Sequence, residues 1–302
     1  MKHLKIGTRG SPLARIQAET VARLLEERDP ELTTERVIIK TTGDHVLDRP
    51  LSEIGGKGLF TKEIEEALFD HRIDLAVHSL KDVATVLPDG LDLAAFLPRE
   101  DPRDALIAGP TTTLGELPAG AVVGSASLRR RAQILALRPD LKVVNLRGSV
   151  QTRLGKVESG DIHATLLAMA GLNRLGRADA ASAAIETEEL LPAVAQGAIA
   201  VEIRKEDAVT RARVAPLDHP DTATAVTAER AFLRALDGSC RTPIAAYARR
   251  DGDAFVFEGL LAHPDGAGLW RASRRGTPAD AARMGDDAGA EVRAAAGPVD
   301  WL

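Results

Sequence analysis

The sequence predicts an α/β protein in which two similar units of alternating strand and helix are followed by a smaller α+β unit. Three observations predict it. The chain has 302 residues, more than one hydrophobic core usually organises. Short β-branched runs alternate with segments of helical period as far as about residue 203, which points to a largely parallel sheet in each unit. From about Asp218 the pattern becomes helix, three short strands divided by turn residues, and a last helix.

Taken in order, Leu4-Lys5-Ile6 reads as a strand and Gly7 to Ser11 as a loop. A helix then begins at Pro12 with Ser11 as N-cap, because proline lacks the N–H that a first helical residue leaves unused. Ile16, Val21, Leu24 and Leu25 give it one apolar stripe. Val37-Ile38-Ile39 is a second strand, and after the polar, Gly-rich stretch from Asp44 to Gly58 comes a helix with Phe60, Ile64, Ala67 and Leu68 inward. Asp74 to Val77 is a strand running straight into His78-Ser79-Leu80-Lys81-Asp82. The charged, proline-flanked run Leu97 to Pro102 marks a break. Beyond it, strands fall near 105–108, 121–123, 142–144 and 164–167, with helices after Ser127 and Ser149. Gln196 to Ile203 reads as a strand with a glycine entry that returns to the first sheet. Thr222 to Leu236 is helical, Ile244 to Ala248, Phe255 to Phe257 and Leu269-Trp270 are strands, and Asp251-Gly252-Asp253 and His263 to Gly266 are hairpin-type turns. Residues 278–296 form the last helix. The expected domains are 1–98 with 198–216, then 99–197, then 217–302.

Composition sets limits on function. Hydrophobic residues make up 44% and charged residues 27%, the balance of a globular protein. Gly7 and Arg9 follow Met1 to Lys5 without an apolar stretch, so no signal peptide is expected. No run of 18 apolar residues exists, so no membrane span is expected either. With a single cysteine, these features point to the cytoplasm. The net charge of −5 argues against nucleic acid as a partner. Of 39 basic residues, 30 are Arg. Arginine and alanine share GC-rich codons, so the positions of the arginines, not their number, carry the information.

Those positions are the loops where strands meet helices. Arg9 lies beside Ser11, Arg129 and Arg130 follow Ser127, Arg147 and Arg153 flank Ser149, and Arg174 follows Gly171-Leu172-Asn173. Helix N-termini attract anions, and ligands of open α/β sheets bind outside the carboxyl ends of the strands. Four such loops make a polyanion site the better reading of residues that singly are ordinary surface groups. Neither a Walker nor a Rossmann glycine pattern is present, so a nucleotide is not expected. The seven histidines are scattered, and no metal is expected. Asp82, at the end of a buried strand in an arginine-rich cleft, is the group suited to stabilise a cation and move a proton; beside Lys81 it also reads as a solvated pair. Cys240, in Gly238-Ser239-Cys240-Arg241-Thr242-Pro243, has no partner for a disulfide. It is either a small buried hydrophobe or, with its turn and its arginine neighbour, an attachment point or nucleophile.

Taken together, Gly7-Thr8-Arg9-Gly10-Ser11-Pro12-Leu13-Ala14, Gly55-Gly56-Lys57-Gly58-Leu59-Phe60, His78-Ser79-Leu80-Lys81-Asp82-Val83, Ser127-Leu128-Arg129-Arg130, Leu146-Arg147-Gly148-Ser149-Val150, Glu229-Arg230-Ala231 and Gly238-Ser239-Cys240 resemble the porphobilinogen deaminases, in order over nearly the whole chain. Two features depart from the family: Ala84 stands where proline usually follows Lys-Asp-Val, and Asp44 to Arg49 aligns poorly. The resemblance implies two α/β domains like those of periplasmic binding proteins, joined by hinges, with a smaller α+β domain. It implies a transferase that joins four porphobilinogen molecules into hydroxymethylbilane, releasing ammonia each time, in haem and porphyrin biosynthesis. It also implies a dipyrromethane primer on Cys240 through a thioether, held by Lys81, Ser127, Arg129, Arg130 and Ser149. Arg9, Ser11, Arg147, Arg153 and Arg174 would bind substrate carboxylates, and Asp82 would stabilise the azafulvene cation. A monomer is expected. The competing readings are a two-lobed solute binder, which needs neither the cysteine nor the third unit, and a cysteine hydrolase, for which no partner histidine is evident.

Overall fold

The computed structural model describes residues 3–45, 59–110, 113–238 and 242–298. The chain divides into two compact units, one drawn from 1–47, 55–100 and 197–223, the other from 101–196 and 224–302.

In the first unit, β1 (His3–Arg9) leads into α1 (Pro12–Arg28) and β2 (Thr33–Ile39); α2 (Thr42–His45) is a single turn. Next come α3 (Lys62–Phe69), β3 (Leu75–Ser79) and β4 (Leu91–Phe96). Ser11 caps α1, its side chain accepting from the Ala14 N–H, with Pro12 at the first helical position. The sheet order is β2-β1-β3-β10-β4, where β10 (Ile199–Arg204) enters much later in the sequence and is followed by α7 (Ala208–Val214). Both faces are covered, as successive residues of one strand record: Leu75 and Val77 pack with Leu4, Ile6, Val21 and Leu25 on one side, while Ala76 packs with Ile64, Leu68 and Ile73 on the other.

In the second unit, β5 (Asp104–Ile107), β6 (Val122–Gly124), α4 (Leu128–Leu137), β7 (Lys142–Val144), α5 (Val150–Glu158), β8 (Ala164–Ala168), α6 (Met169–Arg174) and β9 (Ala183–Ile185) build a sheet of order β7-β6-β8-β5-β9. Leu106, Val123, Ile134 and Leu166 fill one side, and Ile107, Leu154, Leu167 and Leu172 the other. Downstream, α8 (Pro220–Ala235) precedes the antiparallel sheet of β11 (Ile244–Asp251), β12 (Ala254–Ala262) and β13 (Leu269–Gly276), and α9 (Ala281–Ala296) ends the described fold. Phe232 and Phe257 meet at 5.5 Å between ring centroids. The backbone of α9 comes so close to that of α8 at Gly285 that a Cβ there would lie 2.0 Å from the Ala228 carbonyl oxygen.

The return of the chain to the first sheet is as expected, but the sheets are mixed rather than largely parallel. β10 runs antiparallel to both β3 and β4, and β5 antiparallel to both β8 and β9. The reason lies in the connections. Only a strand–helix–strand crossover imposes a parallel neighbour, whereas β10 enters between β3 and β4 after a long excursion through the second unit. β4 and β9 were not anticipated: Ala183–Ile185 is three residues long, two of them alanine, and alanine has little β preference. Among the described residues, no helix is long and apolar enough to cross a membrane, and no cluster of side chains is suited to hold a metal ion.

Candidate active site

Each α/β unit presents its chemistry at the carboxyl ends of its strands. In the first unit β1 and β3 are parallel neighbours, Gly7 opposite Ala76, so Arg9 and Ser79 finish at the same edge. The residues Leu80–Asp82 then form a 3₁₀ turn. The turn is pinned at both ends: the Leu80 N–H donates to the Ala198 carbonyl at 3.0 Å and the Val83 N–H to the Leu80 carbonyl at 3.1 Å. Leu80 and Val83 are buried, and between them Lys81 and Asp82 remain half-buried. Two apolar anchors and two backbone bonds thus fix where Asp82 stands, with Ala84 in the place of the usual proline.

Arg9, Ser11, Lys81 and Asp82 share a cavity of about 100 Å³ with Gln17, Phe60, His78 and Ser79. The Arg9 guanidinium carbon lies 4.2 Å from the centre of the Phe60 ring, a cation–π contact that holds the cation at the cavity. Gln17 Nε2 donates to Ser79 Oγ at 2.8 Å, which ties α1 to the end of β3. His78 and Glu202 are both buried, with His78 Nε2 2.9 Å from Glu202 Oε2. Phe60 was expected on the inner face of a helix and instead lines the cavity. Gln17, His78 and Glu202 were missed as site residues; the position of His78 at the end of a strand, just before Lys81 and Asp82, was the available signal.

In the second unit the parallel strands β6 and β7 each open a helix. Ser127 caps α4, its Oγ accepting from the Arg130 N–H at 3.4 Å, and Ser149 caps α5, accepting from the Thr152 N–H at 3.1 Å. Arg129 and Arg130 were expected as carboxylate ligands. The structure buries both and commits their Nη atoms to protein: Arg129 to Asp104 Oδ2 at 2.8 Å and the Leu191 carbonyl, Arg130 to Asp104 Oδ1 at 2.6 Å and the Leu166 carbonyl. Gln196 Nε2 adds a third donor to Asp104 at 2.9 Å. Burial works against the Asp104 charge, yet the two arginines outweigh it and hold its carboxyl far below the usual range. One carboxylate for two guanidiniums leaves the network positive, and among the described residues the buried Nε of each arginine has no hydrogen-bond partner.

Arg153 adds to this excess. Its Nε donates to the Gly148 carbonyl at 3.1 Å, and loss of water, then Arg130, then Arg147, bring its pKa down to about 10. Arginine does not give up its proton at physiological pH, so the depression records burial of the cation first and repulsion from Arg130 and Arg147 second. Arg147 lies in the loop before Ser149. Arg174 is the last residue of α6 rather than a loop residue. Cys240 and Arg241 lie outside the described residues, as does the stretch 46–58 that the sequence marked as Gly-rich.

The chain matches the family model described as "Porphobilinogen deaminase, dipyromethane cofactor binding domain" over residues 4–212, and that described as "Porphobilinogen deaminase, C-terminal domain" over residues 223–294.

The chain belongs to the porphobilinogen deaminase family.

It is 56% identical over 303 residues to the chloroplastic porphobilinogen deaminase of Oryza sativa subsp. japonica, spanning 98% of this chain and 84% of the rice protein. It is 55% identical over 301 residues to the porphobilinogen deaminase of Paracoccus denitrificans, spanning 99% of this chain and 96% of that protein. Among solved structures it is similar to the methionine-binding protein MetQ, with a TM-score of 0.44 and 14% identity over 72% of this chain and 89% of the other. The family's dipyrromethane cofactor carries several carboxylates, and the residues present fit it: a network with one more cation than anion, two buried Nε atoms with no partner among the described residues and a repelled Arg153 form a place prepared for negative charge.

Proposed function

We propose that this chain is a transferase that joins four porphobilinogen molecules head to tail into hydroxymethylbilane with loss of ammonia, and that Asp82 is its central catalytic residue. The observation that carries the role of Asp82 is the pinned Leu80–Asp82 turn, which aims one carboxylate into a cavity it shares with Arg9, Ser11 and Lys81. Dipyrromethane, when bound through Cys240, supplies the pyrrole carbon from which the chain grows.

The residues divide the remaining work. Arg9 and Ser11 orient the substrate by its carboxylates, a bidentate task suited to a guanidinium. The Asp82 carboxylate accepts from the pyrrole N–H and stabilises the positive charge left on the substrate as ammonia departs; it then receives the proton released when the new ring regains aromaticity. Lys81, Ser127, Arg129, Arg130 and Ser149 are the residues that hold cofactor carboxylates. Arg147, Arg153 and Arg174 receive the carboxylates of the lengthening product. Residues 217–302 form a third domain carrying Cys240. The enzyme acts as a cytoplasmic monomer in haem and porphyrin biosynthesis, a reading supported by the single cysteine of the chain. Asp82→Ala tests the proposal: folding and cofactor content should be kept while turnover falls by about 10²- to 10⁴-fold. Near-normal turnover would remove Asp82 from the mechanism.

A further inference from the structure

Behind the Asp82 cavity lies a buried group of titratable residues that the roles above leave unused. His78, on β3, lines the cavity. Its Nε2 is 2.9 Å from Glu202 Oε2 on the neighbouring β10, and the two side chains are 4% and 0% exposed. The other oxygen of that carboxylate, Oε1, is buried and has no hydrogen-bond partner among the described residues. On the α3 side, Glu65 is also buried. Burial first, and then the Glu202 charge, push its carboxyl up toward the neutral form, against the opposing influence of the neighbouring Thr61. The remaining charged groups facing this cluster are Glu63 on α3, Arg9 at the end of β1, and Lys81 and Asp82 on the following turn.

An ionised carboxylate only accepts hydrogen bonds, so the imidazole nitrogen beside Glu202 carries the hydrogen and the free lone pair belongs to Nδ1. A buried carboxylate whose second oxygen has no donor is costly unless a positive charge stands beside it. The cation that the geometry places in contact with it is the His78 imidazolium, at 2.9 Å. This is the arrangement by which a carboxylate behind a histidine orients the ring and fixes its tautomer. The cavity of about 100 Å³ that both His78 and Asp82 line has room for roughly three waters at about 30 Å³ each.

We propose that His78, backed by Glu202, is the base that takes the reaction's proton on from Asp82, so that one carboxylate can serve successive additions. The proposal rests on the reading of Asp82 given above. In each addition the C–N bond of the substrate's aminomethyl group, present as its ammonium form, breaks, and nitrogen leaves with the bonding pair as ammonia. A C–C bond forms between that carbon and the α-carbon of the terminal pyrrole. The C–H pair of the α-carbon returns to the ring, and its proton passes to the Asp82 carboxylate. Water carries the proton from Asp82 to His78 Nδ1, where the imidazolium is held by Glu202 until the proton reaches solvent. Charge and atoms balance without another reactant.

The test uses the cofactor-loaded enzyme with porphobilinogen. His78→Gln keeps a donor for Glu202 but cannot take the proton, and Glu202→Gln keeps the shape while removing the charge that stabilises the imidazolium. Both should lower kcat by about tenfold to a hundredfold with little change in KM, and the limb of the pH–kcat profile that reports His78 should vanish in the first and shift in the second. In the unaltered holoenzyme labelled with ¹⁵N-histidine, the His78 resonances should move toward the imidazolium position when porphobilinogen saturates the site. Wild-type kcat and pH profile in His78→Gln, or His78 resonances that stay unchanged on saturation, would overturn the proposal. If Asp82→Ala is inactive in the same assays, the role of Asp82 survives that result.

Discussion

Replacing Asp104 by asparagine removes the carboxylate on which Arg129 and Arg130 converge, and the cost can be worked from the geometry. The aspartate is fully buried and accepts from Arg129 Nη2 at 2.8 Å, Arg130 Nη2 at 2.6 Å and Gln196 Nε2 at 2.9 Å. Asparagine keeps the volume but turns one acceptor into an NH₂ that faces a guanidinium, and it strands two buried cations. Hydrogen bonds to charged groups contribute about 1.5–3 kcal/mol each, and breaking a buried ion pair by removing one partner costs about 3–5 kcal/mol. The second range is adopted, because the one substitution removes the anion that both buried arginines share. For a unit of this size it corresponds to a fall in Tm of about 6–20 °C. Asp101→Asn is the internal comparison: its pair with Arg103 is partly exposed, so it should cost no more than about 1 kcal/mol. The sign of the pH dependence follows from the depressed carboxyl of Asp104. Its contribution is complete above the unfolded value of about 3.9 and is lost as pH falls below that value toward the folded one, so the two proteins should converge in stability only under strongly acidic conditions. Thermal and urea unfolding of Asp104→Asn beside Asp101→Asn measure all of this. A Tm within 2 °C of the parent, at about the resolution of the comparison, would refute the reasoning.

Three further outcomes follow. Arg153→Leu should leave Tm unchanged or raised, since it deletes a repelled cation, while raising the KM for porphobilinogen or halting elongation at an identifiable intermediate on native gels; an unfolded protein would contradict this. In the parent, urea stability should rise as pH passes upward through about 10, because the folded Arg153 there binds fewer protons than the unfolded one, and Arg153→Leu should lose that rise. Gly197→Ala should cost at least about 1–3 kcal/mol from backbone strain alone, because Gly197 has φ +91° and a Cβ there would lie 2.3 Å from the Glu100 carbonyl oxygen; a Tm equal to that of the parent would show that the segment yields.

What could be read from the sequence was local. Ser11 with Pro12, Ser127 and Ser149 announce helix starts by their own chemistry, and each is a cap in the structure. The Gly252 turn joins β11 to β12 as expected, with Asp251 opposite Ala254. The direction of β10 was not legible, because residues some 120 positions apart in sequence, His78 and Glu202 among them, become neighbours only through sheet pairing. For the same reason Arg129 and Arg130 looked like open ligands. Nothing near them in the sequence reveals Asp104, which lies 25 residues from Arg129. Arginine position predicted where positive charge gathers; which donors remain for a ligand depended on a carboxylate supplied by another strand.

The most direct test of the central claim is the intact mass of the purified, denatured protein beside that of Cys240→Ser. An excess equal to two linked pyrrole units, present in the parent and absent from the variant, is the expected result and joins the family's cofactor to the single cysteine of this chain. An unmodified mass that persists after incubation with porphobilinogen would contradict the account.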